Sequence, residues 1–287
     1  FNSLGKYQKA ANYFQKTIQI NPNNLKNYNI LGTILVELGE YEKAINCYEK
    51  AIKIEPNNIN TINGLVDLFR SIQLSNLNEN NNRDLKNLFL FLFRKNNINH
   101  DDIFYNAKKI IFIEENYNKI EHIINSESSL LNNKMIQNLL NEEIFLLMLQ
   151  KSRIRDKFLE KLLTRIRKEI IISLENSKSN ILKEYFDFII SFAAQSFLNE
   201  YVFFQSDEEF NYIANLEKKI INKNKIDELE ISILGCYIPL YKSKDISNNL
   251  LNYTSKNFLF NDMIEMQIKQ PLKEKKISNS IKSLKKI

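Results

Sequence analysis

The chain has 287 residues, 44% of them hydrophobic, with only five glycines, four prolines and a formal charge of +6. That length admits two domains, and the scarcity of Gly and Pro, with apolar residues recurring at helical spacing, argues for an all-α protein. Residues 269–287 hold seven lysines against the single acid Glu274, which accounts for the whole excess charge and argues against a nucleic-acid footprint.

In chain order, the first elements are a duplication. Gly5 to Asn23 and Gly39 to Asn57 lie thirty-four residues apart and share ten of nineteen positions, including Tyr7/Tyr41, Ala10/Ala44 and Pro22/Pro56. A thirty-four-residue period with glycine, aromatic and small residues and a closing proline at fixed places is the tetratricopeptide signature. Gly39 suits a left-handed helix C-cap, and Pro56 stops the second helix. Tyr28, Leu31, Gly32 and Leu35 stand where the family usually has Trp, Leu, Gly and Tyr, and Ile62, Leu65 and Phe69 mark a third helix A over Ile59 to Arg70. The chain starts inside a repeat, so its first helix A is expected to be missing and the chain to be a fragment.

Helix-A side chains of such repeats line a binding face. Here these are Lys26, Asn29, Thr33, Asn60, Asn63, Asp67 and Arg70. Two readings stay open: a peptide groove in which Asn29 and Asn63 bond an extended backbone, or a short array whose face packs on the rest of the chain. Residues 75–84, SNLNENNNRD, form the expected linker between repeats at 1–74 and a helical domain at 85–268, with a basic connector at 269–287.

Helices are expected at Leu85 to Arg94, Asp101 to Phe112 (capped by Asp101 or Asp102), Asn116 to Ile124, Asn133 to Leu140 and Glu142 to Gln150. They continue at Asp156 to Leu174, Ser179 to Phe204, from Asp207, at Asp227 to Tyr237 and at Asn248 to Gln270. Forty-two asparagines suggest drift of surface positions in an AT-rich coding sequence.

The chemistry-bearing residues do not assemble a site. His100 and His122 have no second ligand at metal spacing and are expected on the surface. The glycines stand singly, and there is no HExxH, GxSxG or phosphate-cradling loop. Adjacent acids such as Glu142/Glu143 and Glu208/Glu209 diverge on a helix and suit its N-terminal dipole better than acid–base work. Cys47 and Cys236 read as buried small hydrophobes in a reducing compartment. No signal peptide or run of eighteen apolar residues is visible, so the cytoplasm is the expected location.

Four segments after the repeats resemble bacterial class I S-adenosylmethionine-dependent methyltransferases that carry N-terminal tetratricopeptide repeats. Residues 155–167, RDKFLEKLLTRIR, are similar to the family's V-R-D-x-x-L-E-x-L-L-T-x-L-R. Residues 196–203, SFLNEYVF, are near its C-F-L-N-E-Y-V-F, with Asp207-Glu208-Glu209 following as the family would have it. Residues 236–240, CYIPL, match C-Y-x-P-L-H, with Tyr241 replacing the family histidine. Residues 267–272, QIKQPL, resemble Q-I-x-E-P-L, which precedes the family's catalytic half.

The resemblance implies a non-catalytic accessory region that presents a protein or peptide partner to its own downstream methyltransferase domain. S-adenosylmethionine would bind in that domain, which this sequence does not include. Catalytic, cofactor and metal residues are therefore expected to be absent from this chain, and neither nucleic acid nor membrane is an expected partner. Asn199, Glu200 and Tyr201 are either contacts to the absent domain or internal helix-end hydrogen-bonders with Tyr201 in the core. The alternative function is a stand-alone tetratricopeptide interaction scaffold.

Overall fold

Short polar side chains set several of the helix starts. Asn24, Asn58, Asn133, Asp156, Asp227 and Asn257 each accept a hydrogen bond from a backbone N–H two or three residues on, supplying a partner that the first turn lacks. Several of the abundant asparagines thus terminate helices rather than merely coat them. The computed structural model describes residues 2–72, 82–223 and 225–284, and among the described residues it is helical, without strands. The chain divides into two units, one up to Ile113 and one from Glu114.

The first unit contains α1 (Asn2–Ile20), α2 (Leu25–Glu37), α3 (Tyr41–Ile54), α4 (Ile59–Ser71), α5 (Asn82–Phe93) and α6 (Asp101–Ile111). Gly39 ends the α2 turn at φ +72°, where a Cβ would be strained, and Glu40 N–H reaches back to the Leu35 carbonyl at 2.8 Å. The Tyr48 ring of α3 lies between Gly32 of α2 and Gly64 of α4; a Cβ added at either would come within 2.8 Å of it. Small residues opposite one aromatic therefore set how closely the three helices approach. Ile62, Leu65 and Phe69 are buried along α4 as the third helix-A pattern requires.

The first unit continues past the asparagine-rich stretch for a specific reason. Asn106 of α6 donates to the Phe69 and Ile72 carbonyls at the end of α4, Phe89 of α5 stacks on Phe69 at 4.1 Å, and Lys95 donates to Pro56 O at 3.0 Å. Of the expected linker, residues 75–81 lie outside the described residues, and 82–84 open α5. Two expectations are corrected here. His100 is buried and stacks on Phe93 at 5.5 Å, because the turn between α5 and α6 folds it inward. Neither Asp101 nor Asp102 is the N-cap of α6; His100 holds that position, and Asp102 pairs with Arg70 at 2.6 Å.

The second unit contains α7 (Glu114–Asn125), α8 (Lys134–Leu140), α9 (Glu143–Lys151), α10 (Lys157–Glu175), α11 (Ser179–Lys183), α12 (Phe186–Leu198) and α13 (Asp207–Ile221). It continues with α14 (Glu228–Gly235), a 3-10 turn (Leu240–Lys242), α15 (Lys244–Leu251), α16 (Phe258–Ile264), a π-helical turn (Glu265–Lys269) and α17 (Gln270–Leu284). At the centre is α12, with every residue from Phe188 to Ser196 buried and with α9, α14 and α16 packed around it. A helix hydrophobic all round belongs in a core.

The single helix expected over Ser179 to Phe204 is broken twice. A turn at Glu184 and Tyr185 separates α11 from α12, and α12 stops at Leu198. Glu200 and Tyr201 follow at φ +54° and +60°, with Tyr201 N–H bonded to Ser196 O at 2.8 Å, so the chain turns sharply where apolar content alone would extend the helix. The helix expected over Asn248 to Gln270 is also two, because Asn257 caps a new start. No described helix is long and apolar enough to cross a membrane.

Candidate functional site

On the repeats, α2 and α4 place the seven proposed groove residues unequally. Lys26, Asn60 and Asn63 are exposed, and Asn63 has no hydrogen-bond partner among the described residues. Asn29 is spent inside the protein: its Oδ1 accepts from Thr61 Oγ1 at 2.8 Å, and its Nδ2 donates to Asn58 Oδ1 at 3.4 Å. The pair thus ties α2 to the capped start of α4. Thr33 Oγ1 lies 3.1 Å from Asn29 O and 3.2 Å from the Tyr48 hydroxyl. Asp67 and Arg70 pair at 3.2 Å, and Arg70 reaches on to Asp102 of α6. Lys26, Thr33, Asn60, Asn63, Asp67 and Arg70 all keep exposed side chains on this face, Asp67 and Arg70 as an ion pair, and Asn29 alone is half-buried.

In the second unit, three of the four quoted segments meet at one buried node. Arg167 of α10 is 1% exposed. Its Nη2 donates to the Phe204 carbonyl at 2.5 Å and lies 3.7 Å from Glu209 Oε1, while the guanidinium stands 4.2 Å from the Tyr237 ring centroid. The single hydroxyl proton of Tyr237 is shared between Glu209 Oε1 at 2.9 Å and the Arg167 carbonyl at 3.1 Å. Glu209 also completes a capping box with Ser206, accepting from Ser206 N at 2.9 Å. The buried positive charge therefore has a carboxylate, carbonyls and a ring face around it, the condition for keeping a charge in a core.

A second hub adjoins these segments. Gln267 sits in the π-helical turn and is fully buried. Its Nε2 donates to Ala193 O at 2.8 Å and Gly235 O at 3.1 Å, and its Oε1 accepts from the Tyr201 hydroxyl at 3.0 Å. One side chain thus joins α12, α14 and the turn after α12. A π turn inserts a residue into the helical register, and here it carries the amide that makes these cross-links.

The residues 199–201 are accordingly tied inward in different degrees. Asn199 donates to Ile154 O at 2.8 Å, and Tyr201 is bonded to Gln267, while the Glu200 side chain is exposed. Burial raises Tyr201, Tyr237 and Cys236 above their ordinary pKa values, with Arg167 partly opposing it at the last two. None of them is poised to ionise near neutrality.

The node was not singled out from the sequence. Its signal was there: Arg167 falls on the α10 stripe of Leu163, Ile170, Ile171 and Leu174, all buried, and a charge in an apolar stripe needs a partner. Glu209 was assigned to the helix dipole; its capping-box role agrees with that position, but its contact with Tyr237 was not readable.

Among the described residues no group of three or more His, Cys, Asp or Glu is arranged to hold a metal. Of the single glycines, Gly32 and Gly64 face Tyr48, and Gly235 faces Ala193 and Gln267. They serve close helix packing.

Comparison with known families agrees with the repeat geometry. Residues 26–58 match one tetratricopeptide repeat model and residues 1–24 match another. No curated protein and no solved structure matches the chain.

Proposed function

We propose that this tetratricopeptide-containing chain is the non-catalytic accessory region of a class I S-adenosylmethionine-dependent methyltransferase, and that its repeats hold a protein partner for that enzyme. The tetratricopeptide matches support protein–protein interaction as the general function. The methyltransferase reading rests on the sequence resemblance, and one observation lends it weight. The resembling segments, between residues 155 and 272, and the acids that follow the second of them supply Arg167, Tyr201, Glu209, Tyr237 and Gln267 to two adjoining buried hubs. Segments that maintain one packed framework are what a shared domain would retain.

In this reading the second unit is a helical body, and the peptide-binding role falls to the exposed Lys26, Thr33, Asn60, Asn63, Asp67 and Arg70. Asn29 acts upon the groove through Thr61 and Asn58, and Asn199 and Tyr201 hold the turn after α12 in shape. Glu200 is the member of its trio whose side chain reaches solvent for a contact with a further domain.

The natural reading frame is the first test. Continuation past Ile287 into a glycine-rich cofactor loop supports the reading, whereas a stop codon within a few residues contradicts it and leaves a stand-alone interaction scaffold. The isolated chain should give no heat with S-adenosylmethionine; measurable binding would mean that it carries a cofactor site of its own.

A further inference from the structure

The first and second repeats hold the same positions in different surroundings. In α3, Ala44, Cys47, Tyr48 and Ala51 stand at i, i+3, i+4 and i+7, on one face of the helix, and are 0%, 8%, 1% and 0% exposed. That face is filled by α2, whose Gly32 lies against the Tyr48 ring and whose Thr33 Oγ1 is 3.2 Å from the Tyr48 hydroxyl. Thirty-four residues earlier, Ala10, Tyr13, Phe14 and Thr17 form the same face of α1. Here Tyr13 is 64% exposed and the other three are half-buried. α1 packs on α2 and buries Ala11, but the face that in α3 receives the preceding helix receives none among the described residues.

The turn ahead of that face differs as well. Residues 38–41, Leu-Gly-Glu-Tyr, and residues 4–7, Leu-Gly-Lys-Tyr, are the same motif. Gly39 stands outside the helices at φ +72°, and α3 begins at Tyr41. Gly5 instead lies within α1, which begins at Asn2 rather than at Tyr7. Glycine is a poor residue inside a helix and a good one at a left-handed C-cap, so residues 4–7 are written for a turn that α1 does not make.

We propose that the face of Ala10, Tyr13, Phe14 and Thr17 is the seat of one further helix of the same kind as α2, supplied by the natural chain directly ahead of Phe1. Seating it draws residues 2–6 out of α1, and Gly5 takes up the left-handed turn that Gly39 makes. The occupant follows from the second repeat, where the matching face is filled by the helix directly preceding it and the glycine turn joins the two. The α1 of a second copy is a poor occupant: Lys6, Lys9 and Lys16 flank the exposed Tyr13, and the helix has no acid to meet them. By the thirty-four-residue period, the third residue ahead of Phe1 stands for Gly32 and must be small, because Phe14 takes the place of Tyr48 against it. With this helix the binding face gains a third row beside α2 and α4, in keeping with the three repeats that such arrays need for stability. The inference concerns the repeats alone and stands whether or not the methyltransferase reading holds.

Two proteins test the proposal: the 287-residue chain, and the product of the natural reading frame extended upstream of Phe1 through one repeat. Urea unfolding of Gly5→Ala and Gly5→Asn, followed by circular dichroism, is compared in both. In the 287-residue chain position 5 is helical, and alanine should give the higher midpoint. In the longer product the position must adopt positive φ, so the order should reverse, with asparagine above alanine and both below glycine. Tyr13→Asp should leave the midpoint of the 287-residue chain unchanged and lower that of the longer product, because only there is Tyr13 covered. If Gly5→Ala does not fold in the longer product, the Tyr13→Asp comparison decides. The same order at position 5 in both proteins, or an equal effect of Tyr13→Asp in both, would overturn the proposal. So would a natural frame that starts too close to Phe1 to encode a helix as long as α2, or one with a bulky third residue ahead of Phe1.

Discussion

Replacing Arg167 by methionine tests whether the buried node holds the second unit together. The substitution keeps much of the side-chain volume but removes the charge, the donor to Phe204 O at 2.5 Å and the partner 3.7 Å from Glu209. Glu209 is 2% exposed, so its carboxylate would remain buried without its cation. Breaking one side of a buried pair costs about 3–5 kcal/mol. Glu209 keeps the Ser206 N–H and the Tyr237 hydroxyl, which places the expected loss toward about 3 kcal/mol. For a unit of this size that corresponds to a fall of roughly 6–12 °C in the midpoint. Thermal unfolding followed by far-ultraviolet circular dichroism should show the lower-melting transition in the variant. Adding Glu209→Gln should recover part of the loss, since it removes the stranded charge. A single-variant loss below about 1 kcal/mol would refute the reasoning, because an exposed ion pair costs no more than that.

Other expectations follow from the same geometry. Gly64→Ala, whose Cβ would meet the Tyr48 ring at 2.7 Å, should destabilise the first unit despite a gain in helix propensity of about 1 kcal/mol, whereas Gly5→Ala, with open space around it, should stabilise by about 0.5–1 kcal/mol in urea titrations. Equal effects at both positions would contradict the close approach of α2, α3 and α4. Tyr201→Phe removes the 3.0 Å donor to Gln267 Oε1, which keeps only the Leu240 N–H at 3.5 Å, and should cost about 1 kcal/mol, seen as a lower urea midpoint; an unchanged midpoint would mean that the bond is not made. At high pH, Tyr253 is held protonated by its hydrogen bond to Glu228, which pushes it up to about 12, and burial raises Tyr201 and Tyr237 as well. Because these folded-state values lie above the unfolded value near 10.0, the stability they confer is full below that pH and is lost as the pH rises through about 12. Tyrosinate absorbance at 295 nm should therefore rise in two stages, the second coinciding with unfolding; a single early rise by all thirteen tyrosines would contradict it.

The repeats were legible because their side chains answer to a fixed period. Gly39 at positive φ, Tyr48 between two glycines and buried Ile62, Leu65 and Phe69 all follow from that period. The start of α10 was also legible, since Asp156 caps it as its position before an apolar stripe implies. What could not be read was tertiary. The turn at Glu200 and Tyr201 interrupts a stretch whose composition favours helix, and Tyr201 N–H finds Ser196 O only in that turn. Helical register put Asn29 on a face that could either hold a peptide or pack on the rest of the chain, and it did not reveal that Thr61, thirty-two residues on, engages its amide. His100 was placed outside by its turn-rich neighbourhood, although the stacking partner Phe93 was only seven residues away.

The most direct measurement of the central claim is methyl transfer by the product of the natural reading frame. With tritiated S-adenosylmethionine and protein acceptors, that product should label an acceptor. Lys26→Ala with Asn63→Ala should raise the KM for the acceptor while leaving the KM for S-adenosylmethionine unchanged. Labelling that is equally efficient with and without these substitutions would remove the repeats' proposed role, and a product that transfers no methyl group would contradict the methyltransferase reading.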